Sequence, residues 1–339
     1  MHYRSRPIPG RPSRSSPVTD PTPPAAPATG ARTVRVMEDR DGQRIDNFLM
    51  GYLKGVPRSL VYKLLRSGQV RVNGGRIKAE RRLEAGDEVR IPPIRVPDPE
   101  EKGTPPQGFM DALDAAIVFE DARLLALNKP SGVASHGGSG ISFGAIETLR
   151  ALRPKETLEL VHRLDRDTSG LIMVARKRSF LRRLQKLMQG GGMEKRYWLL
   201  CQGFKGQSRS IDAPLLKLTS GNNERIVRVS REGKPSDTEF RLLERLADTQ
   251  LVEATLGTGR THQIRVHAQY GGFPLLGDSK YGSPTVTDRL KQLGIQRLCL
   301  HARTLKLRHP ETGAQLSLEA PLDDAFEHAI KVLKQEKVG

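Results

Sequence analysis

The sequence predicts an α+β protein: a large, mainly antiparallel mixed-sheet domain behind a small N-terminal αα-β domain. Three observations carry that prediction. Strand-like apolar runs recur at 158–164, 171–175, 197–202, 238–243, 251–256 and 303–307, with helical segments between some of them around 142–153 and 179–189. Sheet-rich order with scattered helices is the pattern of an α+β domain. Ahead of these runs, two helical stripes precede two tight-turn signals. Residues 96–110, charged and containing Pro and Gly, separate the two patterns and read as a linker. The expected domains are therefore 33–95 and 111–335, and 339 residues are enough for both.

Residues 1–32 carry eight prolines, at 7, 9, 12, 17, 21, 23, 24 and 27, among Ser, Thr and Arg. Such a segment buries too little apolar surface to offset its ordering entropy, so a disordered basic arm is expected. Order should begin near Thr33. Ile45, Phe48, Leu49, Tyr52 and Leu53 follow the spacing of an amphipathic helix. Pro57-Arg58-Ser59 opens a second helix with Leu60, Val61, Leu64 and Leu65 as its stripe, and Gly68 can close it in a left-handed cap. Val70-Arg71-Val72 is strand-like, Asn73-Gly74 is a strong hairpin signal, and Gly86-Asp87 turns into the strand Val89-Arg90-Ile91. In the large domain, Ile117-Val118-Phe119 and Leu124-Leu125-Ala126-Leu127-Asn128 flank a Glu-Asp turn and form the first two strands.

Charge limits the partners. Lys and Arg number 56 against 38 acidic residues, a net charge of +18, which favours a polyanion. No apolar run approaches the ~20 residues that span a bilayer, so no membrane role is expected. Nor does the N-terminus carry a signal-peptide core. Cys201 and Cys299 each lie in an apolar run without CxxC spacing, which points to buried thiols, a cytoplasmic protein and no cysteine-ligated zinc. His162, His262, His267 and His301 do not have the i, i+4 spacing of helical zinc ligands; they read as structural or RNA-facing. Residues 32–95 hold 15 Lys and Arg against 8 Asp and Glu, a net +7. Arg58, Lys63 and Arg66 on the second helix and Arg71, Arg76 and Lys78 around the hairpin are candidate phosphate contacts. The scarcity of aromatic residues there favours structured RNA over single strands.

The segment His162-Arg163-Leu164-Asp165-Arg166-Asp167-Thr168-Ser169-Gly170 places one carboxylate, Asp165, between two arginines and ahead of an apolar strand. Further on come Met193-Glu194-Lys195-Arg196-Tyr197, then Gly257-Thr258-Gly259-Arg260-Thr261-His262-Gln263-Ile264-Arg265, then Leu298-Cys299-Leu300-His301-Ala302. With Leu127-Asn128-Lys129-Pro130-Ser131-Gly132 in front, these motifs resemble, in family order, those of the RluA-type pseudouridine synthases over about 115–330. Residues 33–95 resemble the S4 RNA-binding domain. The proline-rich arm is extra to the family pattern.

The resemblance implies an isomerase that turns uridines of 23S ribosomal RNA into pseudouridine, acting without cofactor or metal and as a monomer. It makes Asp165 the catalytic residue, Tyr197 the face that packs on the extruded base, and Arg265 the partner of Asp165. Arg163 and Arg166 become RNA contacts. The chemistry is consistent with these residue types. A carboxylate can act as nucleophile or base, a guanidinium can keep a buried carboxylate ionised through a bidentate pair, and the phenol of Tyr197 could help remove the C5 proton. Attack on C6, attack on C1′ and C2′ deprotonation all stay open. Two other readings compete: a non-catalytic RNA-binding ribosome-assembly factor, and a nuclease.

Overall fold

The computed structural model describes residues 30–53, 56–94, 103–138, 141–219 and 225–335. The expected N-terminal arm falls almost wholly outside the described residues. The chain divides into two compact units, Met1–Glu101 and Lys102–Gly339.

In the first unit, β1 (Arg32–Arg35) precedes α1 (Ile45–Tyr52), α2 (Arg58–Arg66), β2 (Arg71–Val72), β3 (Gly75–Arg76) and β4 (Glu88–Ile91). The four strands form one sheet in the order β1-β4-β2-β3. Ile45, Phe48 and Leu49 of α1 and Val61, Leu64 and Leu65 of α2 bury against Val72, Val89 and Ile91. Tyr52 departs from the expected stripe: it is 41% exposed, stacked on Phe48, with the Arg32 guanidinium over its ring. Asn73 and Gly74 both have positive φ, 48° and 76°, which is what a two-residue type I′ hairpin demands.

The second unit runs α3 (Gln107–Ala115), β5 (Ile117–Glu120), β6 (Leu124–Lys129), α4 (Ala145–Leu152), β7 (Glu159–Leu160), β8 (Ser169–Ala175), α5 (Arg178–Gln189), β9 (Met193–Gln202), β10 (Ser208–Asp212), β11 (Leu215–Thr219), β12 (Arg225–Val229), β13 (Asp237–Leu246), β14 (Thr249–Leu256), α6 (Gln263–Tyr270), α7 (Pro284–Gln292), β15 (Leu300–Arg308), β16 (Gln315–Glu319) and α8 (Asp324–Gln335). α3 begins inside the stretch 96–110 whose composition reads as linker. Pro106 sits at its N-cap, Leu113 is fully buried and Phe109 packs against the same core, so two apolar anchors outweigh the loop-like composition around them.

Ten strands form one sheet along the path β10-β13-β14-β9-β15-β8-β6-β5, with β16 on β15 and β7 on β8. Every pairing is antiparallel except β15 with β8. All seven residues of β8 are buried, which is why this strand reads as a continuous apolar run rather than an alternating one. Edge-ward β13 alternates exposed and buried residues over Asp237–Phe240. β11 and β12 form a separate hairpin whose Leu215 and Val227 pack on Val266 of α6.

Candidate active site

Strand register brings the expected residues together. Ala302 of β15 lies opposite Gly170 of β8 on one side and Tyr197 of β9 on the other. The loop that carries Asp165 runs directly into β8, so the register delivers it beside Tyr197. Gly170 has φ +104°, and a Cβ there would stand 2.3 Å from the carbonyl oxygen of Ala302. Only glycine allows this close parallel approach.

The loop is pinned from behind. Nζ of fully buried Lys129 donates to the carbonyls of Pro130, Val133 and Arg166 at 2.8, 2.7 and 3.0 Å. The Ser131 hydroxyl donates to the carbonyl of Asp167, and that of Ser135 to the carbonyl of Leu164. The Leu-Asn-Lys-Pro-Ser-Gly motif therefore serves as a clamp on the Asp165 loop. Burial pushes the Lys129 ammonium down to about 7, against the pull of Asp167.

Arg265 comes from α6. Gln263 ties that helix start to β13: its Oε1 accepts from the Thr258 hydroxyl and the Arg260 N–H, and its Nε2 donates to the carbonyl of Asp237. The expected bidentate pair between Arg265 and Asp165 is not what forms. Nε and Nη2 of Arg265 donate to Asp278, at 2.7 and 2.8 Å, and only Nη1 faces Asp165, at 3.4 Å. Asp278 also accepts the N–H groups of Lys280 and Tyr281. Its side chain is 1% exposed, whereas that of Asp165 is 27% exposed. Thus the buried carboxylate is Asp278, not Asp165. Burial would raise the Asp278 carboxyl, but the Arg265 hydrogen bonds and charge hold it below its usual range. Its only sequence signal was a Gly-Asp step in a turn, where the local role of Asp is the ordinary reading.

Asp165, Tyr197, Arg265 and His262 line one cleft of about 80 Å³, closed by Leu164, Leu256, Ile264 and Leu300. Tyr197 is 8% exposed, and burial, with the Asp165 charge, pushes its phenol up. The phenol therefore holds its proton at neutral pH, with its flat face toward the cleft. A larger cavity of about 460 Å³, lined by aliphatic residues such as Leu276, Val286 and Leu290 together with polar ones such as Gln202 and Lys291, borders Asp278 but lacks the other groups of the cleft.

Arg163 and Arg166 are exposed, Arg163 at the cleft and Arg166 bound to the carbonyl of Gly132. Lys63, Arg66, Arg71, Arg76 and Lys78 are exposed on the first unit, and the side chain of Arg58 lies outside the described residues. Of the histidines, His267 bonds Thr238 and Ala213, and His301 bonds Ser169 and Ala320. His162 accepts the N–H of Met173. His262 faces the cleft. Among the described residues, no three His, Cys, Asp or Glu side chains are grouped so as to hold a metal ion, and no helix is long and apolar enough to cross a membrane.

Residues 123–270 match the family described as RNA pseudouridylate synthase, and residues 43–89 match the S4 domain. A protein of Salmonella typhimurium named ribosomal large subunit pseudouridine synthase C is 52% identical over 311 residues, covering 90% of this chain and 98% of the relative. Its namesake from Pasteurella multocida is 50% identical over 309 residues, covering 90% and 95%. Among solved structures, human RNA pseudouridylate synthase domain containing 4 superposes with a TM-score of 0.56 at 28% identity, covering 67% of this chain and 96% of that one. Identity at this level over nearly the full length of such enzymes makes the chain a member of the RNA pseudouridylate synthase family.

Proposed function

We propose that this chain isomerises specific uridines of 23S ribosomal RNA to pseudouridine, with Asp165 as the reacting carboxylate. The observation that carries the reading is the convergence of Asp165, Tyr197 and Arg265, from three separate elements, on one cleft. The relatives named for the large ribosomal subunit supply the substrate class. In the reaction the N1–C1′ bond breaks, the uracil turns, and C5 bonds to C1′. The proton lost from C5 is balanced by one gained at N1, so no redox partner is required. The three reacting atoms lie inside an RNA stack, so the nucleotide must be flipped into the cleft. Asp165 then reaches it as nucleophile or base, with Nη1 of Arg265 favouring the ionised form. Exposed Lys63, Arg66, Arg71, Arg76 and Lys78, with Arg58 beside them in sequence, hold phosphates on the S4-like unit, while Arg163 and Arg166 do so near the cleft. The same reading makes the enzyme a cytoplasmic monomer.

Incubation of 23S transcripts with the protein in EDTA, followed by pseudouridine mapping and gel analysis, tests the proposal. Pseudouridine without strand cleavage is the expected result. Cleavage would identify a nuclease, and binding with neither change an assembly factor. Asp165→Asn should bind RNA normally and retain less than about a thousandth of the turnover, since removing a group that acts in covalent chemistry is that severe. Higher residual turnover removes Asp165 from the central role.

A further inference from the structure

His262 stands at the start of α6 with φ 54° and ψ 20°. A residue other than glycine seldom takes this left-handed backbone, and such residues concentrate at functional sites. Its imidazole is 14% exposed, with Nε2 3.8 Å from Oδ2 of Asp165. Nδ1 lies 2.8 Å from the hydroxyl of Tyr281.

Hydrogen-bond valence sets the tautomer. The buried Tyr281 hydroxyl accepts the N–H of Val227 at 3.0 Å, and a backbone amide only donates. The hydroxyl's single proton therefore goes to its other partner, Nδ1 of His262. A neutral imidazole whose Nδ1 accepts carries its proton on Nε2, the nitrogen that faces Asp165. Burial pushes His262 below its usual value; Asp165 and Asp278 oppose this, and Arg265 and Lys280 reinforce it. Tyr281 is fixed in turn. Its backbone N–H binds Asp278, and the Arg265 guanidinium lies 5.0 Å from its ring centre.

We propose that His262 is a positioning residue for Asp165, with Tyr281 directing its Nε2–H at the carboxylate. The contact shortens to a hydrogen bond when substrate fills the cleft, as functional hydrogen bonds that are long in a free enzyme do. The carboxylate is then steered from two sides, by Arg265 and by His262. This inference rests on the reading of Asp165 as the reacting group.

The test compares His262→Asn, His262→Gln, Tyr281→Phe and Asp165→Asn in the full chain, by steady-state turnover of 23S transcripts, RNA affinity and thermal melting. Asparagine accepts the left-handed backbone and reaches only the Nδ1 position. Glutamine reaches the Nε2 position and supplies an N–H there. We expect kcat to fall on the order of 100-fold for His262→Asn, the scale of a misplaced reacting group, with KM unchanged. His262→Gln should recover much of that loss, and Tyr281→Phe should lower kcat alone. A merely structural role would lower kcat equally in the Asn and Gln variants and move melting with it. Equal losses in those two, or normal kcat in His262→Asn, overturn the inference. Should His262→Asn fail to fold, normal kcat in Tyr281→Phe overturns it instead. An active Asp165→Asn sinks the underlying reading; an inactive one beside a fully active His262→Asn sinks only this inference.

Discussion

The charges around Asp165 decide what a substitution there does. Because the Arg265 fork belongs to Asp278, Arg265→Leu strands a carboxylate that is 1% exposed. Stranding a buried partner destabilises by about 3–5 kcal/mol, so this variant should lose stability as well as turnover. Denaturant unfolding measures it, and a loss near zero would separate Arg265 from Asp278. Two histidines set an acid limit. Burial pushes His162 and His301 down to about 4, while unfolded histidine titrates near 6.5. Between those values the unfolded chain binds more protons, so stability is full above about pH 6.5 and is lost as pH falls toward 4, on the order of 3 kcal/mol per group. Protonating His301 at Nδ1 also removes its acceptor for the Ser169 hydroxyl. Melting temperatures recorded from pH 7 to 4 should fall, and His301→Asn should flatten the slope.

At the scale of elements, the site depends on the β8–β15 junction and the clamp behind it. Gly170→Ala puts a methyl into the Ala302 carbonyl in a left-handed conformation, and should destabilise by about 3 kcal/mol, the upper range for a backbone clash. A melting temperature equal to that of the native chain would mean that the two strands part without penalty. Lys129→Met removes three hydrogen bonds, two to the turn after β6 at Pro130 and Val133 and one that ties it to the Asp165 loop at Arg166. It leaves three carbonyls without this donor, and unmade buried hydrogen bonds are expensive. Turnover should fall together with stability, and hydrogen exchange should rise across 161–168. Unchanged exchange there would free the loop from the clamp.

At the scale of the molecule, two compact units divide the labour. The S4-like unit carries its own apolar core and the exposed cations of α2 and its hairpin. Removing residues 1–101 should leave the second unit folded, with weakened binding to 23S RNA and a shallower slope of log affinity against log salt, because fewer counterions are released. Charge reversal at Arg66 and Arg71 should act in the same direction. Binding and slope equal to those of the full chain would assign RNA retention to the catalytic unit alone.

The sequence by itself determined the α+β class, the two-unit organisation of helix stripes and tight turns, and the three residues that meet in the cleft. Those features are local: hydrophobic period, the Asn73-Gly74 turn and short motifs all reside in neighbouring residues. The strand boundaries were legible to within a few residues at β8 and β14, where burial or alternation is strong. α3 was lost because only Leu113 and the half-buried Phe109 anchor it, too few for a visible stripe. Only the tertiary structure decided that Arg265 pairs with Asp278, that Lys129 clamps the loop, and that His262 turns toward Asp165. Each of these is a contact between separate segments, set by the fold and the direction of a side chain, and none leaves a periodic trace in sequence. The family resemblance implied that Arg265 meets Asp165, and one guanidinium nitrogen does; that the fork itself engages Asp278 depends on how the loop after α6 folds back, which the motif does not carry.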